Sequence, residues 1–219
     1  MMKLPFFLSI FILLLYLASC SNNNKTQPDG NTQVESFIEE TDKLPESTAV
    51  SKQLFAVESA YIKFLSKAAG QEITREWRFD QYGGRQYEEN YMLVMGQKMG
   101  DKTIVVDGFQ YKWNFDSNEG RKSKFYQTAT DYDKISEKDI ERYGIAKHGY
   151  EEVLGKKCLK VTIERPAKST IWLWNGIALK TEAVFGGNEV HMVAVEIAEE
   201  AIDNAFFVLP DDVIFPDVN

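Results

Sequence analysis

Histidine and cysteine are almost missing from this chain, and their scarcity excludes most of the chemistry a protein of this size could do. The two histidines, His148 and His191, stand far apart with no metal-ligand spacing around either. Neighbouring residues therefore offer neither a zinc site nor a His-centred triad. No Gly-x-Ser-x-Gly elbow, Walker loop or Cys-x-x-Cys pair occurs. Carboxylates are plentiful, but they fall in adjacent doublets: Glu88-Glu89, Glu151-Glu152, Glu199-Glu200 and Asp211-Asp212. Neighbours on a strand point to opposite faces and cannot converge on one substrate atom, so the doublets read as solvated charge. No catalytic residue, metal site or cofactor is expected. Basic charge is short as well, with Lys and Arg at 25 against 33 Asp and Glu, a formal charge of −8. That balance excludes nucleic acid and electrostatic adsorption to an anionic membrane.

The sequence also lacks an apolar run long enough to span a bilayer. Residues 4–17 are apolar but contain Pro5, and a spanning helix needs roughly 20 such residues. Preceded by Lys3 and followed by Leu17-Ala18-Ser19-Cys20, the run fits a signal-peptide core. The tetrapeptide resembles a lipobox, which implies a signal peptide over residues 1–19 and a lipid on Cys20. Each buried methylene contributes about 0.8 kcal/mol, and a two- or three-chain anchor holds essentially permanently. Ser21 after the cysteine resembles the sorting pattern that sends lipoproteins to the outer membrane rather than the inner one. With Cys20 acylated, Cys158 has no partner for a disulfide and is expected to be a small buried apolar residue. A reactive thiol would need a lowered pKa and a nearby base; Lys157 falls on the opposite face from Cys158 by strand alternation.

Residues 20–47 are rich in Asn, Thr, Gln, Glu and Pro and have little to bury. They read as a flexible lipidated tether of roughly 30 Å typical reach. Residues 48–219 form the expected single domain, in which period-2 patterning is broken by turn residues, the mark of successive antiparallel strands. Strands are expected over residues 57–65, 72–80, 85–95, 102–106 and 109–115. Along the second, Ile73, Trp77 and Phe79 share one face, with Glu72, Thr74, Glu76 and Arg78 solvated on the other. A turn is expected over residues 96–101. Asp107-Gly108 is a strong hairpin signal, and it leads into Phe109, Tyr111, Trp113 and Phe115, all on one strand face. Arg121-Lys122-Ser123-Lys124 suits a sheet edge. Ser136 and Asp139 form a helix-capping arrangement ahead of Ile140 and Tyr143, with Gly144 as the stop.

Strand pattern then resumes over residues 150–154, 158–164, 170–174, 177–185 and 189–196, with turns at Asn175-Gly176 and Gly186-Gly187-Asn188. His148 reads as a loop residue and His191 as a strand residue. The segment around Phe206, Phe207 and Pro210 tucks the chain end against the sheet. The fold class is mainly β (α+β): nine to eleven strands in meander order, strongly curved into an unclosed half-barrel, with one or two short helices in its mouth, the second near residues 48–55. Such a sheet must cover its concave face with helices, aromatic side chains or a ligand.

Three segments carry a family resemblance: Gly149-Tyr150-Glu151-Glu152-Val153-Leu154-Gly155-Lys156-Lys157-Cys158, Ile171-Trp172-Leu173-Trp174-Asn175-Gly176-Ile177-Ala178-Leu179-Lys180, and Phe207-Val208-Leu209-Pro210. Together they resemble the lipoprotein carrier and receptor superfamily of LolA/LolB type. The resemblance covers roughly residues 57–210. It implies an eleven-stranded unclosed barrel with helices in its mouth and an apolar cavity that receives acyl chains in the named members. For the receptor's exposed apolar loop the nearest match is Met92-Leu93-Val94-Met95, which reads as an ordinary strand end. The expected function is an outer-membrane-anchored periplasmic lipoprotein holding a lipid or acylated peptide. Trp77, Phe79, Tyr111, Trp113, Trp172 and Trp174 are the candidate cavity residues. The alternative is a non-catalytic structural or assembly lipoprotein that acts through an envelope protein partner.

Overall fold

The computed structural model describes residues 53–68, 70–126, 132 and 135–216; the expected signal peptide, Cys20 and the tether lie outside the described residues. Alternating side chains and short glycine turns produce eleven strands: β1 Ala60–Ala68, β2 Gln71–Asp80, β3 Arg85–Val94, β4 Gln97–Val106, β5 Phe109–Asn114, β6 Gly120–Lys124, β7 Ile145–Val153, β8 Lys156–Ile163, β9 Ser169–Trp174, β10 Ile177–Phe185 and β11 Asn188–Ala198. Among the described residues one α-helix, α1 Glu137–Tyr143, and 3-10 turns at Gln81–Gly83 and Asn204–Phe207 accompany them.

The strands form one sheet in the order β6-β5-β4-β3-β2-β1-β11-β10-β9-β8-β7, and every paired neighbour is antiparallel. Two meanders are thus joined along β1 and β11. The strict meander expected from the sequence is interrupted between β6 and β7, which are consecutive in the chain yet lie at opposite edges. Burial accounts for the junction: Ile62 and Phe64 of β1 face Ile197 and Ala194 of β11, and Ile62, Phe64 and Ala194 are buried.

Two-residue turns with both central φ values positive connect several hairpins, the geometry that matches strand twist. Asp107-Gly108 and Asn175-Gly176 are such turns, as expected. Met95-Gly96 is another, so the turn expected over residues 96–101 shrinks to two residues and β4 begins at Gln97. Likewise β7 begins at Ile145, which makes His148 a strand residue and corrects its reading as a loop. His148 lies where the register of β7 against β8 shifts, and its Nε2 is 2.8 Å from Thr162 Oγ1. Helix α1 has the expected caps: the Ser136 hydroxyl accepts from Asp139 N at 3.1 Å, and Gly144 is left-handed. It buries no residue. Of the possible helix near residues 48–55, residues 48–52 lie outside the described residues, and Leu54 and Phe55 are not helical.

The filling of the sheet falls to the segment just before β1. Leu54 and Phe55 donate backbone N–H bonds to Tyr82 O (2.9 and 3.1 Å), and Ala56 donates to Asn175 O at 3.1 Å. The segment therefore spans from the β2–β3 turn to the β9–β10 turn, one in each meander. The Phe55 ring lies edge-on to Trp77 at 5.2 Å and tilted on Phe79 at 4.9 Å. Gly83 is required beneath it, because an added Cβ would overlap that ring. Around Phe55 a single core runs through Ile62, Phe64, Trp77, Phe79, Cys158, Trp172, Trp174, Ile177 and Leu179.

The C-terminal segment covers the other face. Phe206 packs on Tyr87 at 5.2 Å, Arg85 lies over Phe207 at 4.5 Å, and Phe215 meets Tyr111 and Trp113 at 5.2 and 5.7 Å. Ile214 forms a parallel bridge with Glu119 beside β6, where a Cβ on Gly120 would strike Phe215. This cover corrects one expectation: Glu72 is exposed, but Thr74, Glu76 and Arg78 are half-buried. Arg78 stacks on Tyr61 and Phe206, and Glu76 accepts the Tyr91 hydroxyl at 2.8 Å.

Because Phe55 fills the space above Trp77 and Phe79, Phe55→Ala should cost about 3–5 kcal/mol. Urea unfolding of the variant measures this; a loss below about 1 kcal/mol would mean the segment merely rests on the sheet.

Candidate functional site

Directly opposed residues in a ladder share a face, so the register assigns each expected site residue. Phe64, Arg75, Asn90, Asp101 and Asn114 stand in one row across β1 to β5. The adjacent row is Ile62, Trp77, Glu88, Thr103 and Lys112, and the next begins Ala60, Phe79, Gln86 and Val105. These three rows form the inner face. Tyr111 and Trp113 alternate with Gln110 and Lys112 and point to the outer face, onto Phe215. Trp172 and Trp174 join the core of Trp77 and Phe79 from the other meander, next to a register shift between Ala178 and Lys180. Four of the six candidate residues are therefore brought together, and two are held apart by the sheet.

Side chains of the protein itself cover the indoles: Trp77 is 5% exposed, Trp172 4%, Trp174 7% and Trp113 9%. Their polar atoms are satisfied where the structure describes them. Trp77 Nε1 donates to Gln86 Oε1 at 3.2 Å, and Trp172 Nε1 donates to Glu151 Oε2 at 2.6 Å. Cations border the rings. Arg75 lies 4.8 Å from the Trp77 centroid, Lys156 4.7 Å from Trp174, and Lys180 and Lys160 4.2 and 5.1 Å from Trp172. Attraction of cations to an indole face favours this arrangement. Hydrogen bonds from Lys160 and the Trp172 N–H hold the Glu151 carboxyl below the usual carboxylate range.

Arg75 belongs to this site and escaped the sequence reading, which named Ile73, Trp77 and Phe79 as one face and passed over the charged residue between them. The signal was its period-2 position. Its guanidinium pairs with Glu88, which also accepts from Asn90. Next along, Lys112 Nζ is 3.0 Å from Asp101 Oδ1, without hydrogen-bond geometry. The inner face of β2 to β5 is thus aromatic at one end and ionic at the other.

On the outer face Glu89 accepts the Tyr87 hydroxyl and Lys98 Nζ, both at 2.6 Å, with Lys102 at 3.5 Å. Burial pushes its carboxyl pKa up, but the hydrogen bonds from Lys98 and Tyr87 outweigh it and leave the pKa lowered. Burial and Glu89 together drive the Tyr87 hydroxyl far above its ordinary value, and burial pushes Tyr61 up to about 12. Glu88 and Glu89 do point to opposite faces as expected, but both are half-buried and paired, which corrects their reading as solvated charge.

Other features are simpler. Cys158 is fully buried, its thiol pushed up by burial and 3.3 Å from Lys156 O. His191 is 3.4 Å from Glu189. Among the described residues no cluster of three metal-ligating side chains occurs, and no helix is long and apolar enough to cross a membrane. A shallow groove of about 200 Å³ lies beside Thr170, Glu182, Ala183 and His191. The β3–β4 hairpin is unusual: Leu93 is 67% exposed and Met95 fully so, with Val94 and Met99 also exposed. The end of β3 and its turn into β4 thus form a bare apolar tip.

No family model and no curated protein matches the chain. Among solved structures it is similar to an uncharacterised conserved protein from Thermus thermophilus, with TM-score 0.51 and 10% identity over 74% of this chain and 92% of that one. That likeness shows a shared fold. The Pseudomonas aeruginosa MucA/MucB complex aligns at TM-score 0.49 and 13% identity, over 73% of this chain and 58% of that one. A LolA superfamily protein from Nitrosomonas europaea aligns at 0.32 and 10% identity, over 72% and 93%. The sheet of eleven strands, not closed into a barrel, is the architecture expected from the sequence.

The outer-face carboxylate gives a pH test. A lowered folded pKa means that Glu89 adds stability above the unfolded carboxyl value near 4.3 and loses it as pH falls through the folded value. Glu89→Gln should therefore destabilise by about 1–3 kcal/mol at pH 7. The gap should close below about pH 4 in denaturation curves run from pH 7 to 3, and a pH-independent gap would contradict the charge-based account.

Proposed function

We propose that the protein is a non-catalytic binding module of the cell envelope, which holds an apolar or amphipathic ligand, a lipid or acylated peptide, on the inner face of its unclosed sheet. In this reading residues 1–19 are a removed signal peptide and Cys20 carries the lipid. Residues 20–47 tether residues 48–219 to the periplasmic side of the outer membrane. The observation that carries the reading is the continuous floor of Phe55, Phe64, Trp77, Phe79, Trp172 and Trp174, which spans both meanders and is bordered by charged groups. An apolar cluster beside fixed charge suits a ligand that has both characters. With the protein reconstituted in vesicles, a photoactivatable long-chain probe should label inner-face peptides saturably. Labelling spread evenly over the surface would sink the proposal.

The second reading, an assembly lipoprotein working through a protein partner, is favoured by two observations: the floor is packed by its own side chains, and the apolar tip of Leu93, Val94, Met95 and Met99 is bare. A substitution Leu93→Ser with Met95→Ser that abolished capture of one stoichiometric envelope protein, while probe labelling persisted, would favour it.

The anchor has its own test. Cys20→Ala should leave the chain unprocessed as a lipoprotein and, if exported by another route, released from washed membranes. Retention with normal processing would remove the lipid from the account.

A further inference from the structure

The ligand's polar end is open in the reading above, and the inner face specifies it. Arg75 is 14% exposed by its side chain and is wedged between rings, 5.3 Å from the Phe64 centroid and 4.8 Å from that of Trp77. One of its terminal nitrogens is taken by Glu88. Its Nε–H is buried and meets no acceptor among the described residues. A buried donor without an acceptor is costly, and a guanidinium binds best through two parallel N–H bonds to one planar anion. The fork offered here is half used. Glu88 shares its carboxylate with Asn90, so it does not complete the fork.

The neighbouring charges narrow what fits. Asp101, two strands further along the same row, has the Lys112 ammonium at 3.0 Å to balance its charge, although its Oδ1, like Arg75 Nε, is buried without a hydrogen bond. Ser66, on the same face beside Ile73, is buried. On the far side of the floor the groups over the indoles are Lys156, Lys160 and Lys180, each already paired with a carboxylate, Glu199, Glu151 and Glu182 respectively, so the guanidinium of Arg75 is the group left to specify the head. From these observations we infer that the ligand is an anionic amphiphile, with a carboxylate or phosphate head accepting from Arg75 Nε–H and an apolar tail lying along the aromatic floor. The inference rests on the proposed inner-face binding and adds the charge and position of the head. A neutral long-chain alcohol leaves the guanidinium half paired and gains only the floor.

The full chain in phosphatidylethanolamine and phosphatidylglycerol vesicles can be tested with two matched probes, a sixteen-carbon fatty acid and the corresponding alcohol, each with a mid-chain diazirine. The acid should label peptides containing Phe64 and Trp77, and palmitate should compete at about tenfold lower concentration than hexadecanol, the ratio expected of one charge-assisted hydrogen bond. Arg75→Gln alone strands the Glu88 carboxylate and endangers the fold, so the decisive variant is Arg75→Gln with Glu88→Gln, which removes both charges and leaves no carboxylate stranded. It should label equally with both probes. Glu88→Gln alone, which frees the fork, should raise labelling by the acid severalfold. Equal competition by acid and alcohol in the unaltered chain, or a preference for the acid that survives the double substitution, overturns the assignment of the head while inner-face binding stands. Absence of inner-face labelling by both probes defeats the binding reading itself.

Discussion

Eight residues of the first strand stand opposite eight of the last, from Tyr61 facing Ala198 to Ala68 facing Val190, and the rest of the molecule depends on that ladder. Without it the chain would be two separate meanders, each with one apolar face open to water. With it, Ile62 and Phe64 become the centre of a single sheet, and β6 and β7 become its edges. Because the contact is between the ends of the domain, its closure entropy is large and must be met by burial. The residues at the seam are correspondingly sealed, with Ile62 at 0% and Phe64 at 1% exposure.

The seam also requires the two covering segments. A sheet of eleven strands cannot leave both faces wet when Phe79 and Trp77 point one way and Tyr111 and Trp113 the other. The chain just before β1 crosses to fill the inner side at Phe55, and the chain after β11 returns across the outer side at Phe206 and Phe215. Both coverings start at the seam, where the first and last strands place the chain ends side by side. Local glycines admit them: Gly83 under Phe55 and Gly120 under Phe215.

Much of this was legible in residues whose signal is local. Asp107-Gly108 and Asn175-Gly176 marked hairpins, Ser136 and Gly144 bounded α1, and Cys158, expected to be a small buried apolar residue for want of a disulfide partner, is buried. What failed was non-local. Which face of β5 joins which face of β2 depends on the summed register of three ladders, and a count error of one residue reverses it; the candidate residues Tyr111 and Trp113 accordingly sit across the sheet from Trp77. The seam was equally silent, because nothing in β1 or β11 names its partner. The turn at Met95-Gly96 was missed for a different reason. An apolar residue at φ 51 occupies a place where Asn, Asp or Gly is preferred, so neither turn propensity nor periodicity announces a hairpin there.

The inner face shows where local rules and burial conflict. Period-2 patterning places Arg75 between Ile73 and Trp77, a position that packing alone would give to an apolar side chain. Seating a guanidinium there costs desolvation, and Glu88 offsets only part of it, since an apolar pair of similar volume is often as stable as a buried ion pair. The outer face offers a contrast in the same strands: Glu89 is partly buried too, but the Tyr87 hydroxyl and Lys98 both donate to it. One carboxylate is fully served by the fold, whereas one guanidinium keeps a buried donor unused. Stability accounts for the first arrangement and not for the second, and it is the second that adjoins the aromatic floor.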